Sequence, residues 1–237
     1  MFTGIVMGTA IVDKVISHDG YNTVFVRFPS NDLVTLTIGA SISIDGVCLT
    51  ATSINNDLVS FDIIYNSLKI STLDQLVPGS KVNYERSFVA NSEIGGHILS
   101  GHIDFSGSVV KQCSFTNNYG LTIGFESKWS QYIFPKGFIA INGCSLTVSD
   151  VNRINNTFDV WLIPETLRVT NILDLKINSL VNIEIDRNTQ ILVDTVRSVA
   201  EEKFGALQSI ILAALSQTNF VEDLSQTLQI GSKKDSI

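Results

Sequence analysis

The chain repeats itself once, and that doubling constrains its fold more than any other feature. Gly46, Val47, Cys48, Leu49, Thr50, Ala51 and Thr52 match Gly143, Cys144, Ser145, Leu146, Thr147, Val148 and Ser149 at an offset of 97. Asn66 to Lys69 fall against Glu165 to Arg168, and Val82 to Glu85 against Val181 to Glu184, both at offset 99. Gly8 to Val12 answer to Gly107 to Lys111, again 99 apart. Four collinear matches, whose offset never varies by more than two residues, mark residues 1–97 and 98–187 as two copies of one unit.

Within each unit the segments are short and rich in Val, Ile, Thr and Phe, and many alternate, as in Asn22-Thr23-Val24-Phe25-Val26-Arg27-Phe28. That pattern predicts strands. Turn signals such as Asp19-Gly20, Asn55-Asn56, Pro78-Gly79 and Asn155-Asn156 separate them. About 90 residues with about six strands close most economically into a small barrel, which leaves no open sheet edge. The expected class is all-β: two tandem six-stranded antiparallel Greek-key barrels with a C-terminal α-helix.

The helix is read from residues 188–217, where Val193, Val196, Ala200, Phe204, Leu207, Ile211 and Ala214 recur at three- and four-residue intervals. Such a stripe packs either on the chain's own barrels or against copies in other chains, and self-association is the sharper expectation. Residues 218–237 read as a weakly ordered tail. The strongest apolar run, Ile210 to Leu215, is too short for a membrane span of about 20 residues. The start, Met1-Phe2-Thr3-Gly4-Ile5-Val6, has no basic leader, which predicts a cytoplasmic setting. A net charge of −7 without a basic cluster argues against nucleic acid.

Candidate chemistry lies where the copies differ. Cys48 superposes on Ser145, a thiol facing a hydroxyl, and a thiolate is the stronger nucleophile; a small buried hydrophobe is the plainer reading of Cys48. With Cys113 and Cys144 it makes an odd, scattered set that predicts reduced thiols and no zinc site. His97 and His102 bracket the seam between the copies and either serve proton transfer or cap the linker. No further Cys, His or carboxylate stands near them at a recognisable metal-ligand spacing, so no metal is expected. Asp186 matches Ser87, so a carboxylate occurs there only in the second copy. It could bond Ser145 or cap the helix that follows. Lys136 could place a cation over a ligand carbonyl or lie on the surface.

Met1 to Val6, Gly46 to Thr50, the seam Gly95 to Asp104, Ser145 to Thr147, Leu162 to Leu167 and Val181 to Asp186 together resemble the riboflavin synthase family over residues 1–200. The resemblance implies a cofactor-free homotrimeric transferase that turns two 6,7-dimethyl-8-ribityllumazine molecules into riboflavin and 5-amino-6-ribitylamino-pyrimidinedione. Its site would lie between the first barrel of one subunit and the second barrel of a neighbour. Carried over by position, substrate contacts fall on Gly4, Ile5, Val6, Cys48, Leu49, Thr50, His97, Gly101, His102, Ile103, Lys136, Ser145, Leu146, Thr147, Leu162, Ile163, Pro164, Glu165, Thr166 and Leu167. The resemblance gives Cys48 and His102 to the first-barrel site and Ser145 with Asp186 to the second, with Phe2 packed against the pocket. It names lumazine synthase as a candidate docking partner. One departure stands out: Asn66 and Ser67 occupy the place of the second copy's Glu165 and Thr166. The alternatives are a lumazine- or flavin-binding antenna protein without turnover, and a barrel interaction module without a small ligand. Antenna proteins tend to lose the thiol and imidazole kept here at Cys48 and His102.

Overall fold

A computed structural model describes residues 1–29, 33–89, 93–116 and 118–217, without the side chains of residues 206 and 212–217. The predicted tail at 218–237 lies outside the described residues.

The first copy folds as β1 (Gly8–Ser17), β2 (Tyr21–Arg27), β3 (Ser41–Ile44), β4 (Val47–Asn55), β5 (Leu58–Ile64) and β6 (Lys81–Arg86). The second folds as β7 (Phe105–Ser114), β8 (Tyr119–Gly124), β9 (Phe138–Ile141), β10 (Cys144–Asn152), β11 (Thr157–Leu162) and β12 (Leu180–Ile185). Each set closes into an antiparallel barrel, in the order β1-β2-β5-β4-β3-β6 and the matching β7-β8-β11-β10-β9-β12. The last strand of each set returns beside the third, a Greek-key path. Register shifts at Val12/Lys14 and Ala51/Ser53 recur at Val109/Lys111 and Val148/Asp150. These bulges bend the strands enough to close so small a barrel.

Alternation sorts the side chains. On β4, Val47, Leu49 and Ala51 are buried while Cys48 and Thr50 face outward; on β10, Cys144, Leu146 and Val148 are buried while Ser145 and Thr147 face outward. Each barrel therefore has its own core, one around Ile42, Ile44, Phe61 and Tyr84, the other around Ile123, Ile141, Phe158 and Ile183. Truncating one of the buried phenylalanines to alanine costs about 3–5 kcal/mol.

Two short helices that the periodicity does not reveal follow β5 and β11: α1 (Tyr65–Ile70) and α2 (Pro164–Val169). At six residues each they are under two turns, too short for an apolar stripe. α3 spans Arg187–Gln217, close to the predicted 188–217. Its start is joined to the second barrel by Gln190 Nε2, which donates to Asp104 Oδ2 at 2.8 Å. From Ile191 onward the helix forms a separate unit that, in the single chain, exposes Leu192, Val196, Phe204, Leu207 and Ile211. No described helix is long and apolar enough to cross a membrane.

The barrels meet about a pseudo-twofold axis. Phe2 and Leu99 exchange backbone hydrogen bonds of 2.9 and 3.0 Å across it, and with Ala140 they form a small separate apolar cluster. The segments on either side are exchanged. Val6 is buried in the second barrel's core, and Ile103 in the first's.

Candidate functional site

The exchanged segments place the reactive positions. Glu184 of β12 accepts from Ser100 N at 2.7 Å, Ser100 Oγ at 2.6 Å and Gly101 N at 3.0 Å. Gly101, so held, accepts through its carbonyl from Cys48 N at 2.8 Å. Glu85 of β6 repeats the arrangement for the other barrel: it accepts from Thr3 N, Thr3 Oγ1 and Gly4 N at 2.6, 2.7 and 3.0 Å, and Gly4 accepts from Ser145 N at 2.8 Å. Burial holds both carboxyls above the usual range, opposed by the hydrogen bonds they accept. These four anchors, Thr3, Glu85, Ser100 and Glu184, were missed in the sequence. The signal was present, a carboxylate closing each of the matched strands Val82–Glu85 and Val181–Glu184.

The approach at Gly101 tolerates no side chain. A Cβ there would fall 2.5 Å from Cys48 Cβ, and one at Gly4 would fall 2.5 Å from Ser145 Cβ; both glycines have positive φ. On the first barrel the result is a cleft of about 170 Å³ lined by Val47, Cys48, Ser67, Ile70, Ser71, Gly101, His102 and Ile103. The His102 side chain is exposed, and its backbone N–H donates to Ser100 Oγ at 3.2 Å.

On the second barrel Ser145 takes the place of Cys48, the seam residue Ile5 stands where the first has His102, and an imidazole lies beside the hydroxyl. His97 Nδ1 lies 2.6 Å from Ser145 Oγ, and the ring stacks on Phe138 with centroids 5.1 Å apart and planes 16° from parallel. His97 is buried, and among the described residues its Nε2 has no hydrogen-bond partner. Burial lowers its pKa from 6.5, partly opposed by the Asp186 carboxylate. A neutral imidazole next to a hydroxyl can take a proton from it.

The structure separates the other predicted residues. Asp186 does not pair with Ser145; its Oδ2 accepts from Thr189 N at 3.0 Å and Thr189 Oγ1 at 2.9 Å, capping α3. Leu49, Leu146 and Leu162 turn into the barrel cores, leaving only their backbones near the outer faces. Phe2 is buried at the axis between the barrels. Thr50 and Thr147 face outward beside Cys48 and Ser145, and Ile163 and Pro164 are exposed at the start of α2. Thr166 and Leu167 are half-buried, and Glu165 is clamped by Arg168 at 2.6 and 2.9 Å. The first copy lacks that pair, having Asn66 and Lys69 instead. Lys136 is exposed with φ of 68°, where the first copy has Gly39 with φ of 88°. Holding a lysine in that conformation costs on the order of 1 kcal/mol or more.

Comparison with known proteins agrees with the duplicated barrel fold. The Lumazine binding domain family pattern matches residues 3–87 and again residues 100–186. Curated relatives include riboflavin synthase of Escherichia coli (strain K12), 42% identical over 208 residues that make up 87% of this chain and 97% of that one. Riboflavin synthase of Buchnera aphidicola subsp. Schizaphis graminum is 43% identical over 87% of this chain and 99% of its own. Among solved structures, LumP complexed with 6,7-dimethyl-8-(1'-D-ribityl) lumazine superposes with a TM-score of 0.71 at 26% identity, covering 78% of this chain and 99% of LumP. LumP complexed with riboflavin gives a TM-score of 0.73 at 26% identity over the same shares. With both halves matched and relatives above 40% identity along most of its length, the chain belongs to the riboflavin synthase family of duplicated lumazine-binding domains.

Proposed function

We propose that the chain is a riboflavin synthase, a transferase that moves a four-carbon unit between two molecules of 6,7-dimethyl-8-ribityllumazine, releasing riboflavin and 5-amino-6-ribitylamino-pyrimidinedione. The observation that carries this reading is the unequal arming of two equivalent faces: Cys48 beside His102 on one, Ser145 paired with His97 on the other. A storage protein has no need to treat two identical ligands differently. A dismutation does, because one molecule must give carbon and the other receive it.

One lumazine must lose a proton from its C7 methyl, and the other ring must take a nucleophile. Neutral His97, with Ser145 as relay, supplies a base on the second barrel. Cys48 supplies the better nucleophile on the first. Hydrogen-bond donors around the ring then stabilise the delocalised anion. Holding two rings in register contributes up to about 7–11 kcal/mol of the barrier lowering. Asp186 acts through the helix cap and its field on His97, and Lys136, Thr50, Thr147 and the residues from Ile163 to Leu167 frame the substrates.

Bringing a first-barrel face against a second-barrel face of another subunit requires assembly, and the apolar stripe of α3 supports a homotrimer held partly by that helix. Three free thiols suit a reducing, cytoplasmic setting. Lumazine synthase, the enzyme whose product would feed this one, is a candidate docking partner.

The test is incubation of the purified protein with the lumazine while flavin absorbance is followed. Many turnovers per site are expected, and each of Cys48→Ser, His102→Gln and His97→Gln should slow them. A stoichiometric bound colour without turnover would instead make the chain a binding protein of the kind the LumP likeness suggests.

A further inference from the structure

Where the barrels meet, two hairpin turns face each other, Asp45-Gly46 leading to Cys48 and Asn142-Gly143 leading to Ser145. All four residues have positive φ, as a two-residue hairpin of type I′ requires. A Cβ on Gly46 would fall 2.7 Å from Gly143 N. The polar contacts around them are reciprocal. Asn83 Nδ2 donates to the Asn142 carbonyl at 3.0 Å and Asn182 Nδ2 to the Asp45 carbonyl at 2.8 Å. Asn83 N donates to Asp45 Oδ1 and Asn182 N to Asn142 Oδ1, both at 2.8 Å. Asn171 N donates to Asn83 Oδ1 and Thr72 N to Asn182 Oδ1, both at 2.7 Å.

The Asn171 side chain adds two contacts without a mirror image among the described residues. Matching Thr72 of the first copy, it donates through Nδ2 to Asp45 Oδ1 at 2.9 Å and to the Lys81 carbonyl at 3.1 Å. Its own Oδ1 is buried with no hydrogen-bond partner among the described residues. Leaving such an acceptor unmet costs about 1–3 kcal/mol. A carboxylate cannot meet it, since it has no proton to give, whereas a carboxylic acid and an amide can close a ring of two hydrogen bonds.

We propose that Asp45 is a proton-holding clasp between the barrels: as the acid it donates to Asn171 Oδ1, and on ionisation it loses that bond and weakens the joint. The surroundings offer the charged form little. Asp45 is 5% exposed. On the elements packed around it, Lys81 is paired outward with Asp174 at 2.7 Å, Arg86 donates to the Val34 carbonyl, and Glu85 and Glu184 hold the seam segments. The nearby Cys144 thiol is kept neutral by burial. Burial pushes the Asp45 carboxyl up to about 7. A second aspartate at 142 would face the first across the Gly46–Gly143 contact, which accounts for an acid on one side only.

The test compares thermal unfolding of the full chain and of Asp45→Asn, whose amide donates to Asn171 at every pH. Between about pH 5.5 and about pH 8.5 the variant should gain several degrees on the parent. An unchanged gap overturns the proposal. Carbon-13 titration of the parental Asp45 carboxyl gives an independent check that needs no variant: a midpoint near 7 is expected, and one in the ordinary aspartate range near 4 overturns it.

Discussion

His97 Nδ1 stands 2.6 Å from Ser145 Oγ, across 48 positions of sequence. If the two act as one unit, His97→Ala and Ser145→Ala should each lower kcat by about 10²–10⁴, and the double variant by little more than either single one. Multiplying losses would show that the residues act separately. Because burial lowers the His97 pKa, the base stays neutral below the ordinary 6.5, so the acid limb of kcat should lie below that value and vanish in His97→Ala. The same shift bears on stability: the folded chain binds this proton less readily than the unfolded one, so stability is lost as pH falls below about 6.5.

Gly101→Ala should be more disruptive than its size suggests. The new methyl would meet Cys48 Cβ at 2.5 Å and Cys48 N at 2.8 Å, on a backbone already at positive φ. A loss above about 2 kcal/mol is expected, with first-barrel ligand binding lost as well. Gly20→Ala is the control, with φ of 87° and nothing within 4 Å, and should cost only about 1 kcal/mol of backbone strain. Equal costs, read from urea midpoints, would remove close packing as the cause.

These contacts show which parts of the molecule were legible in its sequence. The equivalence of Cys48 and Ser145 could be read because each follows its own glycine-led turn by two residues, a local match that the repeat exposes. The seam partners could not. Glu184 meets Ser100 across 84 positions and His97 meets Ser145 across 48, and no periodicity links them. The same holds for the exchange of Val6 and Ile103 between barrels, which only the closed folds reveal. At Asp186 the local signal, a carboxylate just ahead of a helix, proved the better guide than proximity to Ser145 expected from the resemblance.

Removing everything after Gln190 should leave both barrels folded, since the compact unit that contains them ends there. The residues removed include the exposed Leu192, Val196, Phe204 and Leu207. If their burial between chains holds the proposed trimer, light scattering should report a smaller species. Turnover should fall at least about tenfold, because the two faces no longer meet, while lumazine still binds. A truncated chain that stays trimeric and active would show that the barrels assemble without the helix.

Asp186→Asn should separate the residue's two effects. Asparagine is as good an N-cap as aspartate, so the bonds to Thr189 N and Thr189 Oγ1 can be kept and stability should change by less than about 0.5 kcal/mol. The charge is lost, however, and that charge now raises the His97 pKa against the larger effect of burial. Without it the imidazolium is less favoured, so the acid limb of kcat should move further down in pH while the rate on the plateau changes little. Asp186→Ala removes cap and charge together and should show the same displaced limb with about 1 kcal/mol of lost stability. If Asp186→Asn instead lowered the plateau by orders of magnitude at unchanged unfolding midpoint, the carboxylate would be acting on substrate directly, and its place at the head of α3 would be only part of its work.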